Sequence, residues 1–152
     1  MDKLQKFSLF HGKDVNVLES KIINLSEVYD NEYAIFITRQ MSAKTGFTCT
    51  DEVMIATAAS ELSTNIIRYA KRGDITISII CDLNCKQKGI ELYASDSWPG
   101  IRDIELAMKE EYSSLPTSLG LGLPSVKRIM DQFYIESLPK KGTRVIARKW
   151  IR

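Results

Sequence analysis

Four short segments of the chain carry residue types that can do chemistry. Glu61 and Asn65 stand four apart in Glu61-Leu62-Ser63-Thr64-Asn65. On a helix that spacing projects both side chains to one place. A carboxylate and an amide oxygen are hard ligands, suited to Mg²⁺ directly or through water. Taken alone, the pair also fits a surface hydrogen bond. Asp96-Ser97-Trp98-Pro99-Gly100-Ile101 follows an apolar run. An aspartate there can accept a hydrogen bond from an exocyclic amine, and Gly100 lets a flat ring approach the backbone. The same composition also makes an ordinary turn. Gly120-Leu121-Gly122 opens a helix that continues through Leu123-Pro124. Backbone N–H groups and the helix dipole make such a place an anion site, with Thr117, Ser118 and Lys127 as further donors. It is not a Walker loop, because no Gly-Lys-Ser/Thr follows, and not a Rossmann fingerprint, because a loop and not a strand precedes it. Gly142-Thr143 opens the last apolar run, where a hairpin turn is the plain alternative.

Other chemistries find little support. His11 is the single histidine, so a Ser-His-Asp or Cys-His hydrolase would have to use it. It sits in a short polar segment before the first strand candidate. Zinc would need Cys49, Cys81, Cys85 and His11 together, at spacings that match no zinc pattern. An odd cysteine count argues against a disulfide framework and for idle or buried thiols in a reducing compartment.

The elements that must position these residues are legible from periodicity. The chain has 152 residues, 44% hydrophobic and 26% charged. That is the size of one domain, 1–152, able to bury about 70% of its unfolded surface. No apolar run reaches the roughly 20 residues of a membrane span, and the start is too polar for a signal peptide, so a cytoplasmic location is expected. Lys+Arg is 21 against 19 Asp+Glu, a balance that does not suggest nucleic-acid binding. Lys140, Lys141, Arg144, Arg148, Lys149 and Arg152 gather at the end without an acidic neighbour. They read as the solvated face of an edge strand, with a docking surface for an acidic partner or phosphate as the alternative.

Residues 15–28 read as extended. Asp30 is the expected N-cap of a helix ended by Gly46, and Thr50 the N-cap of the next, over about 51–71. Ile55, Ala58, Ala59, Leu62, Ile66 and Tyr69 form its apolar side, flanked by a polar stripe of Thr57, Glu61, Asn65, Arg68 and Arg72. Gly73-Asp74 breaks it. Residues 75–80 and 90–94 alternate as a hairpin joined through Asp82–Gly89. A helix over about 102–111, a Ser/Thr/Pro-rich mobile loop over 112–119, a helix to about Asp131, and strands 133–137 and 143–150 complete the chain. The order β-α-α-β-β-α-α-β-β predicts an α+β two-layer sandwich, with a mostly antiparallel sheet and helices on one face.

Together, the order and spacing of the four segments resemble the GHKL ATPases of the Bergerat fold. Glu61-x-x-x-Asn65 looks like the N box, Asp96 to Gly100 the first glycine box, Gly120-Leu121-Gly122 the second, and Gly142-Thr143 the closing threonine box. Ala59-Ser-Glu-Leu-Ser-Thr-Asn-Ile, Gly-Leu-Gly-Leu-Pro-Ser-Val-Lys-Arg-Ile-Met-Asp and the closing Lys-Gly-Thr…Arg-Lys-Trp narrow it. They are similar to the small serine/threonine switch kinases of bacterial anti-sigma and stressosome systems.

The resemblance implies ATP held between the long helix and a lid over 112–122. Asn65 would hold Mg²⁺, Asp96 would bind the adenine amine, and Gly100 with Ile101 would lie near the base. Gly120, Leu121 and Gly122 would cradle phosphates, Thr143 would help orient Asp96, and Glu61 would be the general base. It also implies STAS-domain scaffold or antagonist proteins as substrates and a PP2C-type phosphatase as second partner. A non-catalytic binding module or an anti-sigma factor on the same fold is the alternative. Two departures stand out: Trp98 occupies the middle glycine position of Asp-x-Gly-x-Gly, and the glycine-rich run before Gly120 is reduced to Thr117-Ser118-Leu119.

Overall fold

Isoleucines at 75, 77 and 79 set one face of a strand, because side chains alternate across a pleat. The computed structural model describes residues 14–96, 122–138 and 142–152. In it, β1 is Val15–Leu25, β2 Gly73–Asp82, β3 Lys88–Asp96, β4 Gln132–Leu138 and β5 Gly142–Trp150. The strands form one sheet in the order β1-β2-β3-β5-β4, antiparallel at every pairing. A single apolar row crosses all five: Ile23, Ile75, Ala94, Val145 and Ile135 stand opposite one another. Beside it, Ile77, Leu92, Ala147 and Phe133 make a second row.

Helices α1 (Val28–Thr45), α2 (Cys49–Asn65) and α3 (Gly122–Ile129) pack on that face. Their buried Ile37, Met41, Ile55, Ala58, Ala59, Leu62, Leu123 and Val126 join the two rows in one core. Each fully buried large apolar side chain contributes about 1.5–3 kcal/mol. The α+β sandwich with helices on one face is therefore the architecture of the described residues. The expected helix at 102–111 and loop at 112–119 lie outside them, as do His11, Trp98, Gly100, Ile101, Gly120 and Leu121. No helix among the described residues is long and apolar enough to cross a membrane.

Three helix boundaries differ from expectation. α1 begins at Val28 with Glu27 as N-cap, not at Asp30. The Asp30 carboxylate turns back from the first turn and accepts the N–H of Glu27 at 2.9 Å and of Ser26 at 3.0 Å. Those two bonds hold its carboxyl below the ordinary aspartate range. α2 is capped by Thr48, whose hydroxyl accepts the Asp51 N–H at 3.2 Å, and not by Thr50. Both threonines suit a cap; burial of the preceding Phe47 fixes where the chain enters. Finally, α2 does not run on regularly to residue 71. Ile66–Ala70 widens into a π-helical turn that closes at Lys71, with φ of 73°. Arg68 lies within this wider turn and Arg72 beyond it, so neither continues the regular α-helical register of Glu61 and Asn65.

The basic C-terminal segment also departs from its reading. β5 is no edge strand; it inserts between β3 and β4, and the edges are β1 and β4. Arg148 is fully buried on the sheet face opposite the helices. Its Nε donates to Glu91 Oε2 at 2.8 Å, and its Nη1 donates to Asp14 Oδ2 at 2.8 Å and Oδ1 at 3.0 Å. Lys149 Nζ donates to the Ile129 carbonyl at 2.9 Å, and Arg152 pairs with Asp131 at 2.9 Å. These cations are spent within the fold.

The thiols are not all idle. Cys81 and Cys85 are bonded through their sulfurs across the β2–β3 turn, and Cys49 is free and exposed. The turn folds residue 85 back over residue 81, a proximity that the spacing alone does not reveal.

Removing Arg148 leaves the Glu91 carboxylate buried without its partner. Arg148→Leu is expected to cost about 3–5 kcal/mol in denaturant-melt stability. The Glu91→Leu/Arg148→Leu double variant is expected to recover a substantial part of that loss, whereas simple addition of the two single costs would show that the residues act independently.

Candidate functional site

α2 is the platform of the site. Its inner side is anchored by Ala58 and Ala59, both with no exposed surface, and by Leu62. That anchoring leaves Glu61 and Asn65, one turn apart, half-buried on the flank. Neither side chain makes a hydrogen bond or ion pair with the described residues. A half-buried carboxylate and amide without partners contrast with the saturated Arg148 network.

Gly122, the first residue of α3, lies directly against this pair. A Cβ placed on it would stand 3.0 Å from Asn65 Nδ2, 3.2 Å from Asn65 Oδ1 and 3.2 Å from Glu61 Oε2. The missing side chain therefore lets the start of α3 approach the carboxylate and amide at backbone distance. N–H groups of a first helical turn, with the helix dipole, favour an anion there. Lys127 lies exposed in the last turn of α3, at the end away from Gly122, and does not join the cradle.

Asp96 ends β3, half-buried, and its Oδ1 accepts the Thr143 backbone N–H at 3.2 Å. The Thr143 hydroxyl shares a hydrogen bond with Ser137 Oγ of β4 at 2.9 Å. Thr143 thus meets Asp96 through its backbone, while its side chain is held by a residue that sequence reading passed over. Gly73 was legible only as a helix breaker. In the sheet it is the register partner of Asp96. A Cβ there would stand 2.5 Å from the Ser95 carbonyl, 2.8 Å from Ile66 Cγ2 and 3.1 Å from Asp96 Cβ. Ile66 follows Asn65 directly, so this close contact ties the end of α2 to the end of β3.

The structure therefore brings Glu61, Asn65 and Gly122 together, and Asp96 with Thr143. Gly100, Ile101, Gly120 and Leu121 lie outside the described residues. An open cavity of about 740 Å³ contains Asp96, Asp74, Arg72 and Arg144 but none of Glu61, Asn65 and Gly122. Burial there pushes the Asp74 carboxyl up from the usual aspartate value. Among the described residues no three His, Cys, Asp or Glu side chains cluster to hold a metal by themselves. Glu61 and Asn65 supply two hard oxygens, which suits Mg²⁺ completing its shell with phosphate oxygens and water.

Comparison with known proteins places the chain in a family. Residues 31–149 match the histidine kinase-like ATPase domain. Over 134 residues, 88% of this chain and 98% of the relative, the sequence is 37% identical to the serine/threonine-protein kinase RsbT of Bacillus subtilis (strain 168). It is 34% identical to an anti-sigma F factor of Clostridium novyi (strain NT) over 102 residues, 64% of this chain and 70% of that one. A chain in the crystal structure of the SiaB-SiaC complex from Pseudomonas aeruginosa shares the fold, with a TM-score of 0.53 at 12% identity over 99% of both chains. The family match spans residues 31–149, most of the chain, and the chain therefore belongs to the histidine kinase-like ATPase domain family.

Proposed function

We propose that this chain is a serine/threonine protein kinase that uses Mg-ATP to phosphorylate STAS-domain scaffold or antagonist proteins. After transfer it changes partner and activates a PP2C-type phosphatase in a bacterial stress response. Residues 1–152 act as one cytoplasmic kinase domain in this reading. The observation that carries it is the Glu61–Asn65 pair, without partners among the described residues and set against the Gly122 backbone, together with the similarity to RsbT.

Each residue has a task. Asp96, steadied at Oδ1 by the Thr143 N–H, takes the adenine amine, with Gly100 and Ile101 beside the base. Gly120, Leu121 and Gly122 offer backbone N–H groups to the phosphates. Asn65 would hold Mg²⁺, which would supply charge neutralisation on the phosphate oxygens. Glu61 accepts the proton of the substrate hydroxyl as its oxygen bonds to the γ-phosphorus and the bond to the ADP oxygen breaks. A second reading, an anti-sigma factor, is favoured by the 30% identity to the anti-sigma F factor of Caldanaerobacter subterraneus subsp. tengcongensis over 90% of this chain.

Labelled ATP, Mg²⁺ and candidate STAS proteins test the kinase reading by phosphate transfer; pull-down of a sigma factor without transfer would favour the second. Glu61→Gln is expected to slow transfer by about 10²- to 10⁴-fold. Its ATP affinity should change far less, and binding of the unphosphorylated STAS protein should survive. Equal loss of transfer and binding would make Glu61 structural.

Gly122→Ala probes the cradle separately. The new Cβ meets only side-chain ends, so the unfolding midpoint should barely move. Calorimetry should show ATP affinity falling by about tenfold, equivalent to about 1.4 kcal/mol. Unchanged affinity would remove the α3 start from the nucleotide site.

A further inference from the structure

The β2–β3 turn carries chemistry that the kinase reading does not use. Cys81 is the penultimate residue of β2, 1% exposed, and Cys85 lies in the exposed turn. In an extended strand, residues four apart would be separated by about 13 Å. Asp82 reverses the chain instead. Its carbonyl accepts the Cys85 N–H at 2.8 Å, and its Oδ1 accepts the N–H of Lys86 at 2.7 Å and of Gln87 at 3.1 Å. Its own N–H donates to the Gln87 carbonyl at 3.0 Å. Cys85 adopts φ of 52°, a left-handed conformation uncommon outside glycine. The two Cα atoms stand 5.0 Å apart, within the range that a disulfide spans. The turn is held by backbone and Asp82 hydrogen bonds, so the cysteines stay in reach whether or not their sulfurs are joined.

We propose that Cys81 and Cys85 form a reversible dithiol–disulfide couple, a redox modification site whose oxidant is a small-molecule disulfide such as glutathione disulfide. The exposed Cys85 thiolate attacks one sulfur of the oxidant. A mixed disulfide forms, and one glutathione thiolate leaves. The buried Cys81 thiol gives its proton to solvent and attacks the Cys85 sulfur, releasing the second glutathione. The two cysteines lose two electrons and two protons, and glutathione disulfide becomes two glutathione thiols. Asn16 Nδ2 donates to Cys85 Sγ at 3.7 Å and so marks that sulfur as the one reached from the surface. Reversibility follows from exposure and ring size. A ring this short removes little chain entropy from the unfolded state, and exposed disulfides are the labile ones.

Cys49, free and exposed at the start of α2, serves as an internal reference. The full chain is equilibrated in glutathione buffers of graded reduced-to-oxidised ratio, alkylated under denaturing conditions and weighed intact. Expected is a change from three alkylated cysteines to one, with Cys49 alkylated throughout, and return to three on adding dithiothreitol. Cys85→Ser, placed in the exposed turn where folding is least at risk, should abolish the transition. Three alkylated cysteines at every ratio would overturn the proposal. So would a stable glutathione adduct on Cys85 with Cys81 still alkylated, or a bond that resists the most reducing buffer and dithiothreitol.

Discussion

The contact at Gly73 joins the two ends of the candidate site. Backbone carbonyl, Ile66 methyl and Asp96 Cβ converge where a side chain would otherwise stand. Any Cβ there would push β2 from β3 or the end of α2 from the sheet. Because Ile66 follows Asn65 and Gly73 faces Asp96, this packing sets how far the carboxylate–amide end of the site lies from the Asp96 end. The π turn over Ile66–Ala70 and the positive φ of Lys71 are the local consequence. The chain must leave a helix and enter a central strand within a few residues, and it does so by widening the last turn. Such turns recur near functional sites because they redirect side chains without ending the helix.

Polar groups are distributed in two ways across the sheet. On the face away from the helices, Glu91 and Arg148 stand opposite each other in register and are buried. Burying those charges is tolerated only because Arg148 is bonded to two carboxylates. On the helix side, Glu61 and Asn65 remain half-buried and unpartnered among the described residues. The first arrangement holds strands together and has no capacity left for a ligand. The second keeps its capacity, and Gly122 keeps a backbone path open to it.

The two ends of the sheet are also built differently. At one end, β3 finishes with Asp96, steadied by a backbone N–H of β5, whose own start at Gly142 takes φ of 90°. At the other, the β2–β3 turn is closed by Asp82 and the two cysteines. Gln87 Nε2 and the Lys88 carbonyl there bond Ile151. The turn end therefore fastens the C-terminal residues to the sheet, while the Asp96 end belongs to the candidate nucleotide site.

Much of this was written in local periodicity. Alternating Ile75, Ile77 and Ile79, the apolar stripe of Ile55, Ala58, Ala59 and Leu62, and the four-residue step from Glu61 to Asn65 each report which face of one element is apolar. Their faces survive into the fold because burial rewards the same pattern that sequence displays. The family was legible for a related reason: the four motifs keep their order along the chain. Other features depended on partners remote in sequence. Periodicity does not say that β5 enters between β3 and β4, so Arg148 read as surface charge and proved to be core. Two threonines suited the α2 cap equally, and burial of Phe47 decided between them. Nor could spacing show that Gly122 meets Glu61 and Asn65, that Thr143 reaches Asp96 through its backbone, or that a turn folds Cys85 onto Cys81. Residue types and local period determined the elements and their chemistry; strand order, register and close approach were decided by tertiary packing, because they follow from pairing segments whose separation no local pattern encodes.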